Sequence, residues 1–434
     1  MDAHAEARGR GAAALLGRVV PLRAGEAGAV LWAFVYFFAL LASFYVLRPV
    51  REEMAIRGGV EKLHWLFSAT FVAMLAALPL YSALVARVPR ARAIPAVYRF
   101  FLANLVLFWA VLRLGVAPLA VARTFFVWLS VFNLFVVAVF WSYMADLFTS
   151  EQGKRLFGFV AAGGSAGALA GSALAGTLVH VVGVANLFLV AAALLELSVF
   201  CAGRLSAWAR ARVAAAGTAP ASEGAPVGGG PFAGVTTVLR SPYLAAIAAQ
   251  VLLFALASTF LYFQQARIVA DAIRDPARRT SLFAAVDFGV SVGALAVQAL
   301  ASGRLALAFG LGPALAAVPA LSVAGFAALA AAPSLWVVGA FQVIRRTTHY
   351  GLERPGRDVL YTVVGREEKY KSKGFIDTVV YRGGDALAGW AYAALAALGL
   401  ARPALAAAAI PVSALSLALA LWLARRHARL ERGP

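Results

Sequence analysis

The stretch AAAGTAPASEGAPVGGGP, residues 214–231, decides how the chain is divided. Rich in Ala, Gly, Pro and Ser, it cannot bury a core and reads as a flexible linker. It lies within the only long non-apolar connection, which runs from about Trp208 to Val238. On both sides the chain is a succession of apolar runs of roughly 20 residues, each long enough to cross about 30 Å of hydrocarbon. Their centres fall near residues 38, 73, 104, 133, 168 and 194 before the linker, and near 255, 291, 321, 343, 389 and 414 after it. The linker therefore separates six helices from six.

Composition points to the same class. Of 434 residues 62% are hydrophobic and 14% are charged, which is too apolar for a soluble domain. Backbone groups find no water partners in lipid, so the runs must be helices, and the period-2 alternation of a barrel is absent. The expectation is an all-α polytopic membrane protein with twelve transmembrane helices. Its expected parts are a cytoplasmic N-terminal segment at 1–26, a six-helix half at 27–206, a cytoplasmic linker at 207–240, a second half at 241–425 and a cytoplasmic tail at 426–434. The segment carrying Arg8, Arg10, Arg18 and Arg23 lacks the short apolar core and cleavage site of a signal peptide. Cys201 is the only cysteine and sits in an apolar run, so no intrachain disulfide can form.

The formal net charge is +19. Basic residues spread over many short loops form no continuous nucleic-acid face, so no nucleic-acid partner is expected. Placing both termini in the cytoplasm puts roughly 22 Lys/Arg on the inner side against roughly 10 outside, as the positive-inside rule requires. The outer set is concentrated: Arg48, Arg51, Arg57 and Lys62 follow the first helix, and Arg274, Arg278 and Arg279 follow the seventh. These groups mark a candidate entrance.

A faint repeat agrees with the division into halves. EQGKRLFGFVAAGGSAGALAG ends at Gly171 and EEKYKSKGFIDTVVYRGGDALAG ends at Gly389, half the chain apart. Two parallel six-helix halves joined by a cytoplasmic linker resemble the major facilitator superfamily, in a 6+6 arrangement with substrate held near midplane between the halves. Gly163, Gly167 and Gly171 form a GxxxGxxxG face, read as a packing surface for another helix.

The tenth apolar run carries Arg345, Arg346, His349, Glu353, Arg354, Arg357 and Asp358. A single arginine at the bilayer centre costs roughly 2.5–3.5 kcal/mol on the translocon scale, so such a cluster must face the protein interior. Arg346, His349, Glu353 and Arg357 follow spacings of three, four and four and are expected on one helical face, with Arg354 and Asp358 alongside. Pro355 is expected to kink or interrupt the helix. The eleventh run adds Asp377, Tyr381, Arg382 and Asp385, and the eighth adds Asp287, a proton-relay or ion-pair candidate. Each such charge is either a ligand contact or half of a structural pair. The intramembrane cations slightly outnumber the acids, and an anionic substrate is the simplest counter-charge, since the planar guanidinium suits phosphate or carboxylate oxygens. Coupling or gating roles are expected for Asp287, Glu353, Asp377 and Asp385.

Catalysis finds no comparable signal. His4, His64, His180, His349 and His427 are dispersed, and neither HExxH, GxSxG nor a Walker A loop is present, so neither metal nor cofactor is expected. Tyr36, Ser43, Tyr45, Asn104, Ser130, Asn133, Trp141, Tyr262, Gln264 and Gln265 are further candidates to line a cavity or stack a base.

Three segments resemble the Tlc-type nucleotide transporters, the ATP/ADP translocases of intracellular bacteria and plastids. FYVLRPVREEMAI, residues 44–56, resembles that family's Leu-Arg-Asp-Thr-Lys-Asp run: Leu47 and Arg48 match, Arg51 stands for the lysine and Glu52 for the aspartate. LERPGRDVLYTVV resembles its Phe-Asp-Pro-x-Lys-Glu-x-x-Tyr stretch, with Pro355 and Tyr361 retained, Arg357 for the lysine and Asp358 for the glutamate. KGFIDTVVYRGGD resembles its Lys-x-x-Ile-Asp-Val-Val run through Lys373, Ile376, Asp377 and Arg382. The resemblance implies a twelve-helix exchanger of ATP for ADP, with Arg51 and Arg357 on phosphates and Arg48 and Arg382 close by; the charged stripe of the tenth run adds Arg346, Arg354 and Asp358 to the expected substrate site, and the bacterial inner membrane is the expected location. Two departures stand out. Asp385 falls where the family has a lysine, and Arg354 replaces an aspartate, so an Arg354–Asp385 pair is expected to compensate. Proton-coupled movement of another organic anion or drug is the alternative. A monomer in membrane lipid is expected in either case.

Overall fold

The computed structural model describes residues 23, 26–87, 90–216, 233–300 and 311–432, and every regular element among them is helical. The segment before Arg23 and the linker core at 217–232 lie outside the described residues. The first four helices are α1 (Ala27–Arg57), α2 (Leu63–Arg87), α3 (Arg90–Leu114) and α4 (Pro118–Leu147). The helical run Ser150–Ala216 is broken at Gly183, where φ 77° and ψ 165° are open to glycine alone without steric cost, giving α5 (150–182) and α6 (184–216).

After the linker come the short α7 (Ala233–Arg240), then α8 (Pro242–Ala272), α9 (Pro276–Leu300) and α10 (Leu311–Ala331). α11 (Leu335–Thr348) runs through a π turn at His349–Glu353 into α12 (Arg354–Val359). α13 (Arg366–Phe375) runs through a second π turn at Ile376–Val380 into α14 (Tyr381–Ala397). α15 (Arg402–Ala407) and α16 (Ala409–Glu431) complete the chain.

All twelve expected apolar runs fall on these helices. By length and hydropathy alone, eight segments among the described residues qualify as membrane spans, and one of them, Arg155–Arg212, contains both α5 and α6. The runs near 73, 343 and 389 are not among them; charges and π turns divide the last two. Large apolar side chains such as Phe100, Leu107, Phe200 and Trp422 stay exposed, the surface that a lipid environment requires.

The chain packs as two units. The first holds residues up to Val50 with Ala77–Val116 and Leu129–Gly224; the second holds Arg51–Ala76, Ala117–Trp128 and Ala225–Pro434. In the first unit the glycine face of α5 lies directly on α1: a Cβ on Gly163 or Gly171 would come within 2.5 Å of the Phe34 or Ala42 carbonyl oxygen, and Gly167 is tighter still against Phe38. The packing reading of GxxxGxxxG is the one observed. Tyr36 and Ser43 belong to this core rather than to a cavity. The Tyr36 and Tyr98 hydroxyls are 2.7 Å apart, and Ser43 donates to the Ala191 carbonyl at 2.8 Å, both residues fully buried.

At the head of α1, Glu26 accepts from Gln152 at 2.8 Å, from Arg155 at 3.0 and 3.2 Å, and from the Arg23 amide at 2.9 Å. Burial raises the pKa of this carboxyl, but those donors and the Arg155 charge outweigh it and hold the group down at about 2.

In the second unit α8 is the central element, bridged to α16 by Gln250 and Ser416 at 3.0 Å. α9 and α11 approach closely at Gly293, where a Cβ would meet the Thr347 hydroxyl at 2.6 Å. The end of α1 and the starts of α2 and α4 also pack in this unit. Arg51 donates to the Phe126 carbonyl at 3.1 Å with its guanidinium 3.7 Å from the Phe126 ring centre, and the Trp390 indole donates to Ser68 at 3.0 Å.

Candidate functional site

The buried charges of the second unit come from the end of α1, from α9 and from the two helices interrupted by π turns. A π turn inserts one residue into the ladder and is enriched at functional sites. Here the first ends two residues before Pro355, so the helix meets the missing proline N–H by widening rather than by breaking. The expected interruption therefore takes the form of a π turn.

That turn alters the expected stripe, because residues on its two sides no longer keep α-helical register. Arg346 lies 2.7 Å from Asp287 of α9, an ionic approach that does not follow an N–H direction and so adds no hydrogen bond. His349 bonds through Nδ1 to Glu353, with its ring stacked on Phe254 of α8 at 4.3 Å. Arg357, 8% exposed, reaches Asp377 of the second π turn at 3.4 Å, while its Nη1 has no hydrogen-bond partner. Of the four, His349 and Glu353 engage each other, while Arg346 and Arg357 engage acids of other elements. Asp287 is half of an ion pair and Glu353 is engaged by histidine.

Asp385 is buried, accepts from Thr259 of α8 at 2.9 Å, and lies 3.4 Å from Arg382 one turn earlier on α14. Arg51 is close enough to act on it electrostatically. The expected Arg354–Asp385 pair does not form: Arg354 is exposed, and Thr259 with Arg382 engages Asp385. Asp358 is also exposed and pairs with Lys373 of α13. Arg48, in the first unit, has its guanidinium 5.5 Å from the Tyr45 ring centre.

Arg345 emerges as the most enclosed cation. At 3% exposure it donates to Ser322 of α10 and Ser258 of α8, both at 2.9 Å, and sits 4.8 Å from the Phe254 ring centre. No carboxylate among the described residues forms an ion pair with it. A small cavity lined by Arg345, Ser322, Ser413 and Ser416 adjoins it. The charge of Arg345 was legible in sequence, whereas its serine partners were not, because lone serines in apolar helices usually bond their own backbone. Thr259 escaped notice for the same reason. Tyr262 lies against Phe67 and Phe126, the ring under Arg51, while Gln264 donates to the Arg402 carbonyl and Gln265 pairs with Gln342.

Solved structures share this architecture. A bacterial homologue of the human lysosomal transporter Spinster, in an inward-facing and unoccupied conformation, aligns with a TM-score of 0.57 at 13% identity over 95% of this chain and 98% of its own. The nucleoside transporter NupG aligns at 0.61 and 12% identity over 93% and 99%, and a bacterial ferroportin homologue at 0.61 and 13% over 93% and 98%. The fold is the major facilitator fold. No family model and no curated protein sequence matches the chain. At such identities the likeness fixes the arrangement of helices, and the proteins that share it act on chemically unlike cargo.

Proposed function

We propose that the protein is an alternating-access transporter of an organic anion, and that the anion is a nucleotide exchanged as ATP for ADP without hydrolysis. The observation that carries this reading is a pair of buried guanidiniums whose hydrogen bonding carboxylates do not complete. Arg345 is held by two hydroxyls, and Arg357 keeps an unpartnered Nη1 beside a long 3.4 Å contact. A buried cation without a full counter-charge favours an anionic ligand, and a guanidinium fork fits phosphate oxygens. The three segments that resemble the nucleotide translocases support the choice of substrate. They assign Arg51 and Arg357 to phosphate, with Arg48 and Arg382 adjacent, while Arg346 through Asp287 belongs to the supporting structure. Asp377 and Asp385 then act as internal counter-ions that yield their arginines to substrate.

Proposed with this are two six-helix halves at 27–206 and 241–425, a monomer in the bacterial inner membrane, and both termini in the cytoplasm. Proton-driven transport of another organic anion is the competing reading, and it requires a buried acid free of such partners.

Thermal unfolding of the purified protein with ATP, ADP, adenosine and inorganic phosphate tests the assignment. A ligand at about 100 times its Kd adds about 2.7 kcal/mol of stability. Stabilisation by ATP and ADP but not by adenosine is expected. Equal stabilisation by adenosine, or none by either nucleotide, would remove the phosphate-binding role.

A further inference from the structure

Glu53 lies near the end of α1, 1% exposed, with Oε2 buried and bonded to nothing. The other buried acids of the second unit are engaged: Asp287 by Arg346, Glu353 by His349, and Asp385 by Thr259 and Arg382. Two positive charges act on Glu53, Arg57 from its own helix and Arg279 from α9. Neither is bonded to it. Arg57 is exposed, and Arg279 donates to the Ile273 and Ala270 carbonyls at 2.6 and 3.3 Å. Arg123 of α4, one turn further along, donates to the Gly58 carbonyl at 2.9 Å.

Burying an ionised carboxylate with no bonded partner is far costlier than burying the neutral acid. An amide or an alkyl side chain at this position would fold at less cost than an unpaired carboxylate. The two flanking cations disfavour a metal ion as occupant and leave the proton. They also offer a ready counter-charge once this end of α1 becomes wet.

We propose that Glu53 is a proton-binding site, protonated while buried as seen here and deprotonated when its end of α1 opens to water. On opening, the acid O–H bond breaks heterolytically, the proton passes to water, and the carboxylate keeps the electron pair in the field of Arg57 and Arg279. The site gives the conformational cycle a proton-dependent step whatever the cargo, and it does not depend on the nucleotide assignment. Of the buried acids, Glu53 meets the requirement of the proton-driven reading better than Asp287, Glu353 or Asp385.

A lipophilic carbodiimide reports the protonated state directly. The acid O–H adds across its C=N bond, and the O-acylisourea rearranges to a stable N-acylurea visible by peptide mass spectrometry. The full-length protein in liposomes is treated with dicyclohexylcarbodiimide between about pH 5 and about pH 9, the range in which buried carboxyls titrate. The expected result is an adduct at Glu53 several-fold above those at Asp287, Glu353 and Asp385, declining as pH rises. No adduct at Glu53, or a yield that ignores pH, overturns the proposal. Glu53→Gln supplies a second readout: it should fold with undiminished thermal stability and lose the pH dependence of its transport rate. A wild-type pH profile in Glu53→Gln also overturns it.

Discussion

Arg357, just beyond one π turn, is joined at 3.4 Å to Asp377, inside the other. The pair ties together the two helices whose ladders are widened, and its length leaves the guanidinium open to a better acceptor. Competition follows. Asp377→Asn should tighten nucleotide binding several-fold by freeing Arg357, whereas Arg357→Ala should weaken it by roughly 10- to 100-fold, the range of hydrogen bonds to charged groups. Ligand-induced thermal shifts on both variants check this, and equal affinities in the two would separate the pair from the substrate.

The Arg346–Asp287 pair is assigned to structure. Removing either partner strands a buried charge, so Arg346→Ala and Asp287→Ala should each cost about 3–5 kcal/mol of stability. The double variant should cost less than the sum. Thermal unfolding of the three variants in detergent measures the coupling, and strict additivity would show that the 2.7 Å approach contributes nothing.

Much of this is legible in the sequence itself. Gly163, Gly167 and Gly171 announced a close helix contact because their spacing admits few other uses, and α1 fills it. Asp287 announced a need for a partner, but sequence could not name Arg346, since the pairing crosses from α9 to α11. The Arg354–Asp385 pair is expected from two departures from the family's charge pattern, but Arg382 and Thr259 already engage Asp385, and the π turns that set the local register have no signature in residue type. Glu53 passed unnoticed because it sits where an apolar run grades into a charged loop, and only three-dimensional burial distinguishes it from Glu52.

At Gly167 a β-branched side chain has nowhere to go, with the Phe38 backbone already in contact. Gly167→Val should cost at least the roughly 1–3 kcal/mol typical of overpacking and reduce the yield of folded protein. Gly158→Ala, with no neighbour within 4 Å, should be neutral. Expression and size-exclusion profiles of the two variants provide the comparison.

Glu26 makes stability depend on acid. Its folded pKa, about 2, lies below its ordinary value of 4.5, so its contribution is complete above about 4.5 and disappears as pH falls towards 2. At neutral pH Glu26→Gln should lower stability on the order of 1–3 kcal/mol, the range for bonds to a charged group. The difference between wild type and variant should vanish near pH 2. Melting curves recorded over that acid range test the sign, and a gap that widens on acidification would refute the network.

The most direct measurement is counterflow: the purified protein in liposomes loaded with ADP, with uptake of labelled ATP followed against empty liposomes. Saturable uptake that needs internal ADP, and that is lost in a folded Arg357→Ala variant, is the predicted result. Equal uptake with and without internal nucleotide, or no uptake by folded protein, would contradict nucleotide exchange and leave the helical fold with another cargo.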